Sequence, residues 1–182
     1  MADPADEVLV TRCLEGDTEA FDLLIRRYEK PIFNGCLRMV KVYQDAQDVT
    51  QTVFLKAYQR LDTFDSSYRF FSWIYRMMIN ETLNFLGKRR PNVELDHTLA
   101  SDAKTPEEKL VDDELNGALQ DALMDLKEDQ RAVIVLRYFG DLSYRELSFV
   151  FDLPEKTIKS RLYAARQLLS TALCRRGMGT HG

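Results

Sequence analysis

A basic and polar helix face near the C-terminus carries the side chains best suited to chemistry with nucleic acid. At about 100° per residue, the segment after Pro154 places its cations, hydroxyls and one aromatic ring on one side of a helix: Lys156, Lys159, Ser160, Tyr163, Arg166 and Gln167. Cations bind phosphates, and short polar or aromatic groups contact base edges. The other side predicts a buried stripe: Ile158, Leu162, Ala165 and Leu169. This helix is therefore either a DNA reader or an ordinary solvated basic face.

The residues just before this helix predict the first helix of a helix-turn-helix unit. Ser143 and Glu146 have the spacing of a capping box, and Leu142 and Leu147 have that of a hydrophobic staple. The run 151–153 (Phe-Asp-Leu) interrupts the helical pattern, and Pro154 suits the first turn of the next helix. Two short helices joined by a tight turn are the layout of a duplex-DNA reader, although the pattern also recurs by chance in helical proteins.

An aromatic helix predicted over 69–88 is a second candidate site. One side supplies a core stripe of Phe71, Ile74, Met78 and Phe85, and the other side gathers Trp73, Arg76, Met77, Asn80 and Asn84. The polar loop 61–68 before it contains Phe64 and Tyr68, and the basic run Lys88, Arg89 and Arg90 follows it. Rings stack on unpaired bases and amides bind their edges. Core packing explains any single aromatic equally well, but the combination favours nucleic acid.

A third helix, predicted over 45–61, has an outer face with an apolar centre. Its core stripe is Ala46, Val49, Val53 and Ala57, and the opposite side carries Asp48, Gln51, Thr52, Leu55 and Gln59. An exposed leucine framed by polar groups suits a partner interface. The alternative is that Asp45 and Asp48 simply cap the helix N-terminus and that Leu55 is an ordinary surface residue.

Composition indicates a globular protein without cofactors. The chain has 182 residues, of which 45% are hydrophobic and 30% charged. No window approaches the roughly 18 apolar residues of a membrane span, and the acidic start lacks the basic region of a signal peptide, so a cytoplasmic location is expected. Cys13, Cys36 and Cys174 are predicted to be reduced, partly buried thiols. With only His97 and His181 besides, no metal site or cofactor is expected.

The net charge of −4 is unevenly distributed and marks a boundary between two domains. Residues 92–114 contain eight carboxylates against two lysines, include Pro106 and lack aromatics, which is typical of a linker. Upstream, helices are predicted over 6–15 and 17–39, with Asp17 as a cap and a kink at Pro31. No strand pattern competes. The fold class is therefore all-α, with two small helical domains joined by an acidic linker.

Three segments in this order and spacing resemble the motifs of one known family. They read DAQDVTQTVFLKAYQRLDTF, FFSWIYRMMINETLNFLGKRR and LSYRELSFVFDLPEKTIKSRLYAARQLL. They are similar to the extracytoplasmic-function (group 4) sigma factors, the small two-domain promoter-specificity subunits of bacterial RNA polymerase. The resemblance implies sigma region 2 over 1–91, an acidic flexible linker over 92–112, sigma region 4 over 113–176 and a disordered tail over 177–182.

The resemblance also implies roles for matched residues. Polymerase binding, on the coiled coil of the β′ subunit, falls to Asp48, Gln51, Thr52 and Leu55, where Thr52 replaces the usual glutamate. The −10 element would be bound by Phe64, Trp73, Arg76, Asn80, Asn84, Lys88 and Arg89, with Phe64 and Asn80 at a pocket for a flipped base. The −35 element would be bound by Lys156, Thr157, Lys159, Ser160, Arg161, Tyr163 and Arg166. Glu155-Lys156 and Ala164 depart from the family pattern, which leaves the −35 sequence open.

The partners implied by the resemblance are core RNA polymerase, through its β′ coiled coil and β flap, promoter DNA, and a cognate anti-sigma factor that can hold the protein at the inner membrane. Two other classes are weighed against this hypothesis. A stand-alone helix-turn-helix regulator would need a dimer interface or an effector pocket, and an enzyme would need a converging catalytic set. The sequence offers a candidate for neither.

Overall fold

The computed structural model describes residues 4–89 and 114–178, and every regular element in these two ranges is helical. The first range, the N-terminal domain, contains α1 (Asp6–Leu14), α2 (Thr18–Val40), α3 (Tyr43–Gln59), a 3₁₀ turn (Leu61–Thr63) and α4 (Phe70–Arg89). The second range, the C-terminal domain, contains α5 (Glu114–Met124), α6 (Glu128–Tyr138), α7 (Tyr144–Phe151) and α8 (Glu155–Arg175). The all-α prediction is confirmed. The predicted linker and the tail beyond residue 178 lie outside the described residues.

Helix α2 is the central element of the N-terminal domain, and α1, α3 and α4 all pack on it. It begins where predicted, because the Asp17 carboxylate accepts a hydrogen bond from the Ala20 backbone N–H at 3.3 Å. The Arg12 guanidinium also donates to Asp17 at 2.7 Å, and this bond lowers the pKa of the Asp17 carboxyl. Pro31 lies inside the helix without ending it.

Helix α3 begins at Tyr43, two residues earlier than predicted, with Val42 at the N-cap position. Asp45 therefore lies in the first turn and Asp48 further along, so the interpretation of these aspartates as N-terminal caps is wrong. The predicted core stripe is confirmed, since Ala46, Val49, Val53 and Ala57 are all buried.

Helix α4 buries Ile74 and Met78 of the predicted stripe, but its first buried ring is Phe70 and not Phe71. Phe70, Ile74 and Met78 are fully buried, whereas Phe71 is only half-buried. The Phe71 ring lies between those of Tyr28 and Tyr75, at centroid distances of 6.0 and 4.5 Å. The prediction is wrong by one residue because several adjacent aromatics fit either register of a helical stripe.

The C-terminal domain contains the predicted helix-turn-helix, formed by α7 and α8. Ser143 and Glu146 form the capping box, with the Ser143 N–H donating to the Glu146 carboxylate at 2.8 Å. Helix α7 ends at Phe151, and its C-cap Asp152 has a left-handed φ of 53°, a conformation that aspartate tolerates in turns. Pro154 is the N-cap of α8 rather than a residue of its first turn. The stripe of α8 is buried at Ile158, Leu162 and Ala165, and half-buried at Leu169.

The two domains pack together, and their buried apolar side chains form one continuous core. Helix α2 contacts α5 and α6, and α4 contacts α6 and α7. The buried guanidinium of Arg131, on α6, joins the domains: it donates to the backbone carbonyls of Leu123, Met124 and Leu126, at 2.9, 3.3 and 3.0 Å, and across the interface to that of Met39. These acceptors are helix-end or turn carbonyls, which lack partners within a helix. The Leu123 carbonyl also accepts from the Leu126 N–H at 3.2 Å, so the guanidinium matters most to the other three.

The rim of this interface pairs N-terminal cations with C-terminal acceptors. The Arg38 guanidinium donates to Gln120 at 3.1 Å and to Asn116, and it lies 4.7 Å from the ring centroid of Phe139. Lys41 pairs with Asp121 at 2.7 Å. Within the described ranges, no helix is long and apolar enough to cross a bilayer, and no cluster of His, Cys, Asp and Glu could hold a metal ion.

Candidate polymerase and nucleic-acid surfaces

The predicted polymerase residues share one exposed face of α3. Asp48, Gln51 and Thr52 are exposed, and Leu55 is 59% exposed. Tyr58, one turn further on, is 49% exposed and rests the edge of its ring against Phe21 at 5.0 Å. Sequence reasoning missed Tyr58, although its spacing of three residues from Leu55 could have found it. The face thus has an apolar centre of two side chains with polar groups around it, as protein interfaces commonly have.

The predicted −35 residues lie mostly on an exposed face of α8. Lys156, Thr157, Lys159, Ser160, Tyr163 and Arg166 are all exposed. The Lys159 ammonium lies 5.3 Å from the ring centroid of Tyr144, so α7 helps to hold this cation in place. Arg161 is different: it is half-buried and lies about 70° from the apolar stripe, at the edge of the face rather than its centre. Helix α8 therefore offers DNA a polar, cationic and aromatic surface.

The predicted −10 residues are divided by the structure into an exposed row and a supporting group. Asn80, Asn84 and Lys88 are exposed at successive turns of α4. Trp73 is buried, with its ring 5.7 Å from Phe64 and 5.5 Å from Phe70. The prediction that Trp73 shares an accessible face with the asparagines is therefore wrong, because the preceding loop covers the first turns of the helix. The Arg89 side chain lies outside the described side chains.

The loop before α4 is a defined turn that positions Phe64 and Tyr68. The Asp65 carboxylate accepts a hydrogen bond from the Ser67 N–H at 2.9 Å, and this bond lowers the pKa of the Asp65 carboxyl. The Tyr68 N–H also donates to the Asp65 carbonyl at 3.1 Å. Phe64 is half-buried on Phe70 and Trp73, so one part of its ring remains accessible near the start of α4, about two helical turns before Asn80.

Helix α7 of the C-terminal domain covers one end of this candidate −10 surface. Arg76 donates to the Phe149 carbonyl at 3.1 Å, and its guanidinium carbon lies 5.1 Å from the centroid of the Phe149 ring. Tyr68 stacks on the same ring, and Arg69 pairs with Glu146 at 3.2 Å. Helical periodicity does not predict these contacts, because they join residues more than 70 positions apart. Tyr68 itself was visible as an aromatic residue in a polar loop.

Glu146 is the anionic centre of this contact. Burial opposes the charged form of Glu146, but hydrogen bonds from Ser143 and Ser72 and the charge of Arg69 outweigh it, so the pKa of the carboxyl is lowered. Glu146 therefore stays ionised at neutral pH and holds both its own helix N-terminus and the N-terminal domain.

Comparison with known proteins agrees with this architecture. The family description of sigma-70 region 2 matches residues 24–91, and that of sigma-70 region 4 matches residues 116–169. The RNA polymerase sigma-H factor of Pseudomonas aeruginosa is 36% identical, over 92% of this chain and 93% of its own length. The ECF RNA polymerase sigma-E factor of Escherichia coli K12 is 34% identical, over 90% of this chain and 92% of its own length.

A solved structure has the same overall arrangement. CnrH, in complex with the cytosolic domain of CnrY, superposes with a TM-score of 0.72 at 25% identity, covering 94% of this chain and 99% of its own. The fold and the two matched regions define a two-domain protein of the sigma-70 class. Within that class, the chain belongs to the extracytoplasmic-function sigma factors. It is a promoter-specificity subunit that recognises DNA, and the stand-alone regulator is not favoured.

Proposed function

We propose that this sigma factor binds core polymerase through α3, the −10 element through α4 and its preceding loop, and the −35 duplex through α8. The observation that carries the proposal is the separation of the exposed surfaces: Leu55 lies on α3, Asn80 on α4 and Tyr163 on α8, each with polar neighbours. Each partner therefore has a helix face of its own. Under this proposal the polymerase supplies catalysis, and the chain itself is not an enzyme.

Sequence choice and promoter melting are one event in the proposed mechanism. Flipping a base out of the stack costs a few kcal/mol, and a preformed pocket offsets this cost only for a base that fits. The Asn80 amide can both donate and accept hydrogen bonds, so it suits the Watson–Crick edge that unpairing exposes. Phe64, packed on Trp73 about two turns earlier on the same side of α4, supplies an aromatic surface. Region 4 meanwhile holds the duplex upstream through phosphate and base-edge contacts.

The domain limits of 1–91, 92–112 and 113–176 are part of this proposal, as is a cytoplasmic site of action where polymerase and DNA meet. A cognate anti-sigma factor is the expected regulator. The complex of CnrH with the cytosolic domain of CnrY supports such a partner, because CnrH shares the fold over nearly its whole length. The exposed α3 face and the interdomain grooves are the surfaces that an inhibitor could cover.

Run-off transcription with core polymerase on a library of promoter sequences tests the function. The chain should direct initiation only when core polymerase is present, and the selected promoters should share two short elements at a fixed separation. The chain alone, titrated onto the same DNA, is the control. Tight binding by the free chain to one palindromic duplex, with no polymerase-dependent transcript, would instead favour the stand-alone regulator.

A further inference from the structure

The contact between Tyr68 and Phe149 has the geometry of base stacking. Their ring centroids are 3.9 Å apart and the planes differ by 21°. By contrast, the aromatic pairs inside the N-terminal core are tilted or edge-on, as in the contact of Phe64 with Trp73 at 67°. Tyr68 therefore offers a flat π-face, and a ring from the other domain covers it. Bases stack on aromatic side chains in this manner in single-strand binding proteins.

Arg76 holds the same ring. Its guanidinium lies 5.1 Å from the Phe149 ring centroid and donates to the Phe149 carbonyl at 3.1 Å. Unpaired bases stack on arginine planes and on aromatic rings. The guanidinium that donates to the Phe149 carbonyl can equally donate to an acceptor atom of a base. The two groups that contact Phe149 thus belong to types that proteins use to grip a base.

The Glu146 carboxylate lies on the same side of α7 as the Phe149 ring. Glu146, one helical turn before Phe149, accepts hydrogen bonds from Arg69 at 3.2 Å and from Ser72 at 3.1 Å. Residues three apart on a helix lie on the same side, about 5–6 Å apart at Cβ. Helix α7 therefore presents an aromatic ring and a carboxylate together to the N-terminal domain. These are the two chemical features of a nucleotide, a flat ring and a negative charge.

Open space adjoins the contact. A cavity of about 470 Å³ opens beside the Tyr68–Phe149 stack, and Arg76 and Arg145 line it. It continues the surface on which Asn80 and Asn84 are exposed, because Arg76 and Asn80 lie on the same side of α4 one turn apart. Asp152 also lines the cavity, and most of the lining belongs to the C-terminal domain, so this cavity exists only while the domains are packed. When they separate, Arg76 remains as the cation that can contact a phosphate of a strand passing Tyr68.

We propose that Tyr68 and Arg76 form a stacking clamp for one unpaired base of the −10 strand, with Arg69 contacting a phosphate, and that Phe149 and Glu146 fill the clamp when the domains are packed together. This inference rests on the proposed function and adds a site to it. Domain packing and −10 binding then exclude each other, whereas the α8 face stays exposed in both states.

The clamp is tested with the full chain and a short fluorescein-labelled single-stranded DNA of mixed sequence, by anisotropy. Phe149→Ala should empty the clamp and raise the affinity about two- to tenfold, the range set by the loss of one competing aromatic pair. Adding Tyr68→Ala should abolish this gain, and adding Tyr68→Phe should preserve it, because stacking needs the ring and not the hydroxyl. Phe151→Ala, on the same helix but half-buried against the core, is the matched control and should give no gain.

A second variant covers the case in which Phe149→Ala disturbs the fold. Phe149→Leu keeps an apolar side chain at the interface but removes the flat ring, and its helical circular dichroism is compared with that of the unmodified chain. A folded Phe149 variant without a gain in affinity, or a gain that survives Tyr68→Ala, would overturn the proposal.

The polymerase complex separates this inference from the proposed function. In run-off transcription, Tyr68→Ala should weaken initiation and flatten the preference at one −10 position, and Tyr68→Phe should restore both. If transcription by the Tyr68→Ala complex matches that of the unmodified complex at every −10 position, the clamp is refuted while the sigma function stands. If the single-strand pattern is obtained but no polymerase-dependent transcript appears, the clamp is supported and the sigma function is refuted.

Discussion

Lys159 is the residue at which base reading by α8 can be tested most directly, because its ammonium is held 5.3 Å from the Tyr144 ring centroid. If it contacts a guanine edge, Lys159→Ala should cost about 1–3 kcal/mol of promoter binding and flatten the preference at one −35 position. The measurement is binding of the polymerase complex to all single-base −35 variants at several salt concentrations. Arg175→Ala, at the far end of α8, is the control. Equal weakening on every variant, with a shallower salt dependence, would identify a phosphate contact instead.

Asn80 makes a separate prediction for the −10 element. Asn80→Ala should reduce both the affinity for the melted strand and the discrimination between bases, since the amide contacts the base edge. Fluorescence of 2-aminopurine placed across the −10 element, in the polymerase complex, reports opening. Asn34→Ala, an exposed amide on α2, should leave the signal unchanged. An unchanged opening signal and base ranking in Asn80→Ala would place the pocket elsewhere on the domain.

For single residues, the sequence predicts which side of a helix a residue occupies, but not what covers that side. Asn80 and Trp73 share a side of α4, yet Asn80 is exposed and Trp73 is buried, because the loop carrying Phe64 folds over the first turns. Arg76 was predicted to face DNA, and in this structure it faces Phe149. The first contact joins the helix to the loop just before it, and the second joins residues 73 positions apart. Helical periodicity contains neither.

Among the helices, α3 is expected to act as one binding unit. Asp48→Lys combined with Leu55→Asp reverses a charge and removes the apolar centre of the exposed face, so binding to core polymerase should be abolished. The fold should persist, since neither side chain is buried. A pull-down with core polymerase measures binding, and far-ultraviolet circular dichroism measures helix content. Arg60→Glu, exposed just after α3, serves as the control. Retained binding with normal helicity would reject α3 as the polymerase surface.

The stability that helix α7 contributes to the fold should depend on pH through the carboxyl of Glu146. The folded-state pKa of this carboxyl lies below its ordinary value of 4.5, so its stabilising contribution is complete above that value and is lost as the pH falls through the folded pKa. Glu146→Gln keeps a side chain that suits the capping box but should remove this acid-dependent part of the stability. Thermal unfolding between neutral and acidic pH tests it, with Glu155→Gln as the control. Parallel stability profiles of Glu146→Gln and the unmodified chain would contradict the assignment.

Local signals explain why the helix-turn-helix was predicted well and α3 less well. The capping box of Ser143 and Glu146 and the turn at Asp152 are encoded by adjacent residues, so the sequence places them correctly. Helix α3 has no side-chain cap at Val42, and Asp45 was a plausible but wrong start. A helix without a polar cap begins where its packing allows, and packing is not a local property.

For the molecule as a whole, Arg131 is expected to be the most sensitive single position. Arg131→Met would leave the carbonyls of Met124, Leu126 and Met39 without this donor, while that of Leu123 keeps the Leu126 N–H, and each buried unsatisfied group costs about 1–3 kcal/mol. The free energy of unfolding should fall by about 3 kcal/mol or more in denaturant titration. Arg137→Met is the matched control, since Arg137 donates to the Leu142 carbonyl at 2.7 Å and should cost less. Equal losses for both would refute the bridging role of Arg131.

The sequence predicted two helical domains but not how they pack. Nothing local distinguishes Arg131 from an exposed arginine of α6, and yet it is buried and reaches the end of α2. Charge patterning identifies the acidic segment, but it does not predict the contact of the Arg38 guanidinium with the Phe139 ring. The domain interface depends on pairs far apart in the chain, and a single sequence without its three-dimensional contacts does not reveal them.

The different burial of the three cysteines makes their reactivity a measure of when each domain opens. Cys36 is fully buried in the N-terminal core, and burial raises the pKa of its thiol to about 11. Since the thiolate is the species that reacts, Cys36 resists alkylation at neutral pH until that core opens. Cys174 is exposed near the end of α8, and Cys13 is intermediate. Iodoacetamide should therefore alkylate Cys174 of the C-terminal domain before Cys36. The delay before Cys36 is alkylated measures how long the N-terminal core takes to open.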